Sequence, residues 1–236
     1  MRRAGVRVSR HGSIGAALAI AISLAAARPA GAWIPAPESA WGFVASSNSN
    51  AGRTGALKLD VALVGADGAV AATGTARLEP GGVAKLGLTY GDGTVEVHER
   101  TPTDYVVTRG GSRVSQPLRL IPPVALLQAA SGLAVADTLR AIGGDPALVD
   151  LGMEGAHDCW VLGGRDTGPF DSNTRVSLWV DQESQQPVRI DDGAGTQYRL
   201  GSPAAKEGIR FPAWIDVRAA GFPSWRLDVR SVSKAP

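Results

Sequence analysis

Alternation of apolar and polar positions is the main pattern of this chain after residue 56. In the first such run, Leu57, Leu59, Val61 and Leu63 are each separated by one residue, and the first two separating residues are charged. A period of two residues is typical of a β-strand with one buried and one solvated face. Short turns rich in glycine follow this run and later ones, so the pattern predicts antiparallel strands joined by tight turns.

The predicted strands form two groups, and a short helix at 35–50 precedes them, because Trp41, Val44 and Ala45 follow helical spacing. The strands of the first group are 57–64, 70–78, 83–90, 94–99 and 104–109. Those of the second group are 158–163, 174–181, 186–191, 196–201, 211–219 and 224–233.

An apolar segment at 117–144 separates the two groups, and its sixteen residues from Ile121 to Ala136 carry no charge. A single helix is predicted at 124–142, since two prolines stand at its start and two glycines follow its end. A helix that is apolar around most of its circumference is buried on several sides or contacts a ligand. Two interpretations follow: a core helix packed on the sheet, or a lid over a hydrophobic ligand.

Residues 1–32 have the features of a secretory signal peptide. Arginines precede an apolar run, and Ala30-Gly31-Ala32 forms an A-x-A motif, so cleavage is predicted before Trp33. The apolar run is shorter than a membrane span, and no cysteine stands directly after the cleavage site for acylation. The residues around Arg2-Arg3 do not form a twin-arginine motif, which favours general secretion. The sequence therefore predicts export to a bacterial periplasm and one domain at 33–236.

The leader also decides the sign of the net charge. The chain carries 24 basic and 22 acidic residues, but five arginines and none of the acids lie in residues 1–32. The predicted mature chain therefore has 19 basic residues and a net charge of −3. This acidity removes the main argument for a nucleic-acid or anionic-membrane partner, and no nucleic-acid partner is predicted.

Candidate catalytic and metal-binding residues are few. The predicted mature chain has two histidines, and His98 alternates with valines on a strand, so it is expected to face solvent. His157-Asp158-Cys159 groups three types of metal ligand, but on a strand the first and third share a face while the second points away. This favours an ordinary strand with a buried cysteine. No G-x-S-x-G motif accompanies either histidine, so no catalytic residue, metal ligand or cofactor is predicted.

Other titratable residues have structural interpretations. Cys159 is the single cysteine, which excludes an intramolecular disulfide and a cysteine-rich zinc site. Asp191 and Asp192 stand beside a glycine and are expected to support a hairpin turn. Stability must therefore come from burial of apolar surface, including the tryptophans of the second group of strands, which are interpreted as core packing or as the lining of a cavity.

The order of motifs in the C-terminal half is more specific. It runs Cys159-Trp-Val-Leu-Gly163, Leu178-Trp-Val-Asp181, Gln186-Pro-Val-Arg189, Tyr198-Arg-Leu200, Phe211-Pro-Ala-Trp-Ile215 and Trp225-Arg-Leu-Asp-Val229. A strand ending in W-x-D is thus followed by a P-v-r strand, and a later f-P-x-x-i strand leads to the closing strands. This series resembles the periplasmic lipoprotein-carrier (LolA/LolB-like) superfamily of outer-membrane lipoprotein-sorting-protein-like domains, over most of residues 33–236.

The resemblance implies a mainly β (α+β) fold: a curved, incompletely closed antiparallel β-barrel with an N-terminal helix and a mid-chain helical lid at 117–144. It also implies a hollow that holds lipoprotein acyl chains or whole lipids without cofactor or catalysis. Each acyl CH₂ that leaves water contributes about 0.8 kcal/mol, so such a ligand needs no polar motif. The chain is therefore predicted to be a monomeric periplasmic carrier or sensor whose partners are a hydrophobic ligand and an envelope protein.

Apolar residues of the strands and the lid are the candidate lining of this hollow. They are Leu57, Leu59, Leu86, Leu88, Leu118, Leu120, Leu126, Leu127, Leu133, Trp160, Trp179 and Trp214. Two other classes of function stay open. One is an envelope hydrolase with a cleft around His157, and the other is an interaction module whose barrel is filled by its own side chains.

Overall fold

The structure, a computed structural model, describes residues 33–48, 55–165, 175–206 and 208–236. The predicted signal peptide at 1–32 lies outside these residues. The chain divides into the units Met1–Trp33 and Ile34–Pro236, and every element below belongs to the second unit.

The described residues form short helices and many strands. The helices are α1 (Pro37–Ser47), α2 (Ala125–Gln128) and α3 (Gly132–Ala141). The strands before the lid are β1 (Leu57–Val64), β2 (Val70–Leu78), β3 (Ala84–Tyr90), β4 (Val95–Arg100), β5 (Tyr105–Arg109) and β6 (Ser112–Arg113). Those after it are β7 (Asp145–Glu154), β8 (His157–Gly163), β9 (Val176–Asp181), β10 (Pro187–Asp192), β11 (Thr196–Leu200), β12 (Pro203–Lys206), β13 (Ile209–Pro212), β14 (Trp214–Ala219) and β15 (Trp225–Lys234). None of these helices is long and apolar enough to span a membrane.

One large antiparallel sheet dominates the described part of the chain. Its thirteen strands follow the order β6-β5-β4-β3-β2-β1-β15-β14-β11-β10-β9-β8-β7, and β12 and β13 form a separate hairpin. Strand β15 pairs with β1 and thereby joins the two halves of the chain. Strands β6 and β7 stand at opposite ends of the sheet and do not pair with each other. The predicted mainly β fold with an incompletely closed sheet is confirmed.

The order of the strands determines where the lid must run. The chain leaves the sheet at β6, at one edge, and re-enters it at β7, at the other. The residues between these strands, including the segment 117–144 that we call the lid, therefore connect the two edges. Both helices of the lid belong to this connection, as the prediction of a mid-chain helical segment requires.

The alternation along β1 defines two faces of the sheet. Leu57, Leu59, Val61 and Leu63 are buried on the face that we call the inner face, whereas Lys58 and Asp60 are exposed on the outer face. The inner-face residues of β1 belong to the main apolar core, which also contains residues of the lid and of α1. The period of two residues thus identifies the inner-face positions of this strand, although Ala62 between them is buried as well.

The prediction of one helix at 124–142 is wrong. Helix α2 ends at Gln128, where Ala129 has an extended conformation with ψ of 120°. The side chain of Ser131 then caps α3 by accepting a hydrogen bond from the Ala134 amide at 3.2 Å. A Cβ atom at Gly132 would lie 3.4 Å from the Trp41 side chain. Tertiary contact with α1 and the serine cap therefore override the helix propensity of the alanines before them.

Two further predictions of strand positions need correction. Strand β7 was not predicted, because its exposed and buried residues alternate poorly along an edge of the sheet. The predicted strand 211–219 is two strands, Ile209–Pro212 in the separate hairpin and Trp214–Ala219 in the large sheet. The other predicted strands that lie within the described residues are present, with ends that differ by one or two residues.

Candidate ligand-binding cavity

A small apolar cavity lies between the inner face of the sheet and the first residues of the lid. We call it the inner cavity, and its volume is about 30 Å³. Every lining residue is apolar: Leu59, Val61, Ala76, Leu78, Leu86, Ile121, Pro122, Val124, Phe211, Ile215, Leu227 and Val229. A space of this size accommodates one or two water molecules at most, so an acyl chain enters only if the lid moves.

Most of the predicted lining residues, from the sheet and from the lid, belong to one apolar core or pack against it. Leu59 and Leu86 line the inner cavity itself. The others that belong to the same core, or pack against it, are Leu57, Leu88, Leu118, Leu120, Leu126, Leu127 and Trp160. Trp160 also stacks on Phe43 of α1, with ring centroids 5.1 Å apart.

Three of the predicted residues lie elsewhere. Leu133 is 72% exposed, because α3 begins at Gly132 and buries Val135 and Leu139 instead. Trp179 packs in a second cluster, and its neighbour Leu178 belongs to the main core. Trp214 lines a groove on the outer face, and its neighbour Ile215 lines the inner cavity. Adjacent residues of a strand point to opposite faces, and both members of these pairs are apolar.

Several lining residues were not predicted. Val61, Leu227 and Val229 follow the alternation of their strands, so the period of two residues was the signal that would have found them. Ile121, Pro122 and Val124 carry no such signal. They reach the cavity because the lid residues before α2 are irregular and are held against the sheet at Ile121, which local sequence does not specify.

Two side chains of the sheet hold the backbone of the lid at Ile121. The Ile121 N–H donates to the Tyr105 hydroxyl oxygen at 3.0 Å, and Arg100 Nη1 donates to the Ile121 carbonyl at 2.9 Å. Both side chains are buried. Burial raises the pKa of Tyr105 well above its ordinary value, so the hydroxyl stays protonated. The peptide polar groups of Ile121 are thus satisfied inside an apolar region, where leaving them unpaired would be unfavourable.

The prediction that His98 faces solvent is wrong. This side chain contacts Tyr105, one of the two residues that hold Ile121. His98 pairs with Leu86 across β3 and β4, so its side chain shares the inner face and is only 1% exposed. Its Nδ1 lies 3.0 Å from the Tyr105 hydroxyl, and its Nε2 lies 2.8 Å from Glu96. All contacts are satisfied when Tyr105 donates to Nδ1 and Nε2–H donates to Glu96. The hydrogen bond from His98 lowers the pKa of Glu96, which keeps it an acceptor.

The short helix α2 has one satisfied and one unsatisfied polar contact. Asn48, which follows α1, donates from Nδ2 to the Leu126 carbonyl at 2.6 Å. Gln128 is 8% exposed, and neither its amide oxygen nor its amide nitrogen has a hydrogen-bond partner among the described residues. A buried amide without partners is destabilising by about 1 to 3 kcal/mol. This residue therefore opposes the closed position of α2.

A buried ionic network stands on the opposite, outer face. The Arg189 side chain is 0% exposed; its Nε donates to Asp191 at 2.9 Å and its Nη1 to Glu154 at 3.1 Å. Its guanidinium lies 4.3 Å from the centre of the Trp179 ring, and the Trp179 N–H donates to Asp191 at 2.9 Å. Asp192 accepts from the amides of the following turn, as predicted, but Asp191 serves this network instead.

The hydrolase hypothesis concerns His157, which lies in a groove of about 920 Å³ on the outer face. Its Nδ1 is 3.4 Å from Asp181, and Ser184 donates its hydroxyl to the other oxygen of the same carboxylate. A nucleophilic serine needs the imidazole next to its hydroxyl. Here the carboxylate stands between them and also accepts from the Ser184 amide, which is the geometry of a turn cap. Burial tends to raise the pKa of Asp181, but the bonds from Ser184 lower it overall.

Cys159, the third residue of the His157-Asp158-Cys159 group, has surroundings that make its thiol unreactive. Cys159 is 0% exposed and packs with Val161 and Trp179. Burial raises the pKa of its thiol to about 12, so the thiolate form is disfavoured. Its neighbours Asp158 and His157 are exposed. The strand interpretation of this triplet fits these positions.

Fold and cavity together define a class of protein: an open antiparallel β-sheet with an apolar cavity between its inner face and a helical segment that connects its two edges. Comparison with solved structures gives several similar chains. They include a LolA superfamily protein from Nitrosomonas europaea, with 15% identity, a TM-score of 0.49 and coverage of 82% of this chain and 92% of that chain. A domain described as an outer membrane lipoprotein-sorting protein domain, from Vibrio parahaemolyticus, has 11% identity, a TM-score of 0.45 and coverage of 81% of this chain and 91% of that chain.

A third similar structure is a DUF1329 family protein from Desulfovibrio piger, with 13% identity, a TM-score of 0.44 and coverage of 85% of this chain and 94% of that chain. The structural neighbours thus include LolA superfamily and lipoprotein-sorting domains. No protein-family model and no curated protein matches the sequence.

Proposed function

We propose that this protein is a non-catalytic periplasmic carrier or sensor that binds a lipoprotein acyl chain or a lipid between its sheet and its lid. The observation that carries this proposal is the inner cavity, whose lining is entirely apolar and is formed jointly by the sheet and by the lid residues Ile121, Pro122 and Val124. The mature domain is 33–236, and residues 1–32 direct export.

Binding requires that the lid move away from the sheet. The cavity of about 30 Å³ is far smaller than an acyl chain, yet displacement of the lid would uncover the apolar inner face beneath it. Acyl groups then replace the side chains of the lid against that face. Each CH₂ removed from water contributes about 0.8 kcal/mol, so a long chain compensates for the lost lid contacts.

The attachments of the lid are compatible with such a movement. Near the cavity its backbone is held at Ile121 by Arg100 and Tyr105, and further on at Leu126 by Asn48. A net hydrogen bond in a protein contributes about 1 kcal/mol. Opening also returns the amide of Gln128 to water, which favours the open form. The polar attachments of the lid therefore add little to the apolar contacts that its displacement must break, and the acyl chain has to replace those contacts.

Uptake of a hydrophobic probe tests this function. Delipidated protein lacking residues 1–32 is mixed with a palmitoylated peptide and with palmitate, and tryptophan emission and native mass are recorded. We expect a bound mass and a change in emission, because Trp160 packs in the same apolar core as residues of the lid. Unchanged emission together with unchanged native mass for every probe would falsify the proposal.

A variant that fills the cavity sharpens this test. Ala76 lines the inner cavity, and Thr75 beside it is exposed on the outer face. Ala76→Leu is expected to weaken probe binding about tenfold, or 1.4 kcal/mol, because the added atoms occupy space that the acyl chain needs. Thr75→Leu is the matched control and should bind normally. Equal binding by both variants, with both folded by circular dichroism, would place the probe elsewhere.

A further inference from the structure

A second cavity, with different chemistry, lies on the other side of the lid segment at Ile121. It has a volume of about 400 Å³ and is lined by Arg100, Tyr105 and Arg119, together with the turn that precedes β5, the end of α3 and Asp192. We call it the mouth pocket. The lid separates the two spaces: Ile121 and Pro122 line the inner cavity, whereas Arg119, two residues earlier, lines the mouth pocket.

The charges that line the mouth pocket do not cancel. Arg100 and Arg119 both approach the ring of Tyr105, with guanidinium carbons 5.6 Å and 5.7 Å from its centre. Asp192, whose side chain is 0% exposed, lies 3.5 Å from Arg119. Asp104 is exposed at the rim and is therefore screened by solvent. Two guanidinium groups thus face one buried carboxylate, which leaves an excess of positive charge.

The single carboxylate is also heavily engaged by other donors. Asp192 accepts from the amides of Ala194 and Thr196 at 2.9 Å and 3.0 Å, and from the Tyr198 hydroxyl at 3.4 Å. Arg119 is 36% exposed, and its contact with Asp192 at 3.5 Å is long for a charge-assisted hydrogen bond. The guanidinium of Arg119 is therefore well placed to bind an additional anion from solvent.

Arg100 connects this pocket to the lid, because its Nη1 donates to the Ile121 carbonyl. A guanidinium has five N–H donors, so an anion in the mouth pocket competes with that carbonyl for Arg100. Binding of an anion would weaken one of the two hydrogen bonds that hold Ile121. An amphiphile with an anionic head and an apolar tail thus matches the two spaces and favours release of the lid between them.

We propose that the mouth pocket is the subsite for the anionic head group, a phosphate or carboxylate, of the amphiphile whose tail occupies the inner cavity. This deepens the proposed function and rests on it. The C-terminal end of α3 also lines the pocket and carries partial negative charge. An inorganic anion without a tail is therefore expected to bind much more weakly than an anionic amphiphile.

The test compares three amphiphiles with the same tail: dodecyl phosphate, dodecyl maltoside and dodecyltrimethylammonium, each below its critical micelle concentration. Calorimetry on the protein lacking residues 1–32 should show the anionic compound bound about tenfold or more tightly than the uncharged one, with the cation weakest. Inorganic phosphate, titrated separately, distinguishes a site for free phosphate from one for a head group. Equal affinities for the three compounds would overturn the proposal and leave the proposed function intact.

Variants of the pocket separate a binding role from a structural one. Arg119→Gln should lower the affinity for dodecyl phosphate about tenfold and leave that for dodecyl maltoside unchanged. Arg113→Gln, on the exposed strand β6, removes the same charge as a control and should change neither. Asp192→Asn removes the competing carboxylate and should raise the affinity for dodecyl phosphate, whereas structural damage would lower it.

The outcomes distinguish this proposal from the proposed function. Wild-type affinity of Arg119→Gln for dodecyl phosphate overturns the head-group subsite. If no amphiphile binds to the wild-type protein, the proposed function fails and the head-group subsite fails with it. In that case, if inorganic phosphate binds weakly to the wild-type protein and not to Arg119→Gln, the pocket is a site for the free anion.

Discussion

At the scale of single residues, the clearest feature is a fully buried arginine on the outer face of the sheet. Arg189 is neutralised by Asp191 and Glu154 and covered by the ring of Trp179. Taking a guanidinium out of water is costly unless its donors are satisfied, so each carboxylate of the network is needed once Arg189 is buried. The Trp179 N–H shares Asp191 with Arg189, which explains why this tryptophan faces the network rather than the inner cavity.

Removal of one carboxylate should therefore be strongly destabilising. We expect Asp191→Asn to lower the free energy of unfolding by about 3 kcal/mol, because it leaves the buried Arg189 with Glu154 alone, a carboxylate that Arg199 also contacts at 2.6 Å. Asp228→Asn is the control, since Asp228 pairs with Arg230 at 3.5 Å on the surface and should contribute less than about 1 kcal/mol. Urea denaturation followed by tryptophan emission measures both values. Similar midpoints for the two variants would show that the network adds little stability.

At the scale of elements, the lid combines attachments that favour its closed position with one residue that opposes it. Tyr105 and Arg100 satisfy the peptide groups of Ile121, and Asn48 holds the Leu126 carbonyl. Gln128, at the end of α2, is buried without a hydrogen-bond partner among the described residues. If the lid opens as proposed, the balance of these contributions affects how often it does so, since each is of the order of 1 kcal/mol.

Two substitutions should shift this balance in opposite directions. Tyr105→Phe removes the acceptor of the Ile121 N–H and should increase hydrogen exchange of residues 118–128. Gln128→Leu buries an apolar side chain in place of the orphan amide and should reduce that exchange and slow the release of bound probe.

Exchange measured by mass spectrometry checks both results. Tyr90→Phe is the control for the first variant, because the hydrogen bond of the Tyr90 hydroxyl among the described residues goes to Glu96 at 3.4 Å and not to the lid. A change of the same sign in Tyr105→Phe and Gln128→Leu, or equal effects of Tyr105→Phe and Tyr90→Phe, would contradict this account of the lid.

At the scale of the whole molecule, the open sheet and the lid are parts of one arrangement. Strands β6 and β7 form the two edges, and the chain between them crosses from one edge to the other. The inner face of the sheet is apolar, so it is stable in water only when other apolar groups pack against it. Side chains of this connection do so. The described core accordingly contains side chains from the sheet, from α1 and from the lid.

The proposed location of the protein makes a separate prediction about the whole chain. Expressed in a Gram-negative host, it should be recovered from the periplasm with Trp33 as its first residue, because the A-x-A motif ends at Ala32. Mass spectrometry of the recovered protein gives the cleavage site. Replacing Arg2 and Arg3 by lysine should leave export unchanged, since general secretion requires positive charge and not the arginine pair. Retention of residues 1–32 on cytoplasmic protein would contradict the prediction.

The sequence by itself determined the β-rich class, most strand positions and the place of the lid, because alternation, turn residues and a charge-free segment are local signals. The tertiary structure alone decided that Leu178 and not Trp179 faces the core, and that Gly132 packs against Trp41 where the lid helix breaks. It also brought Arg119 to Asp192, which is 73 residues away in sequence. Pleating, strand order and the path of the lid between the edges set these contacts, and none of them is encoded within a short window of residues.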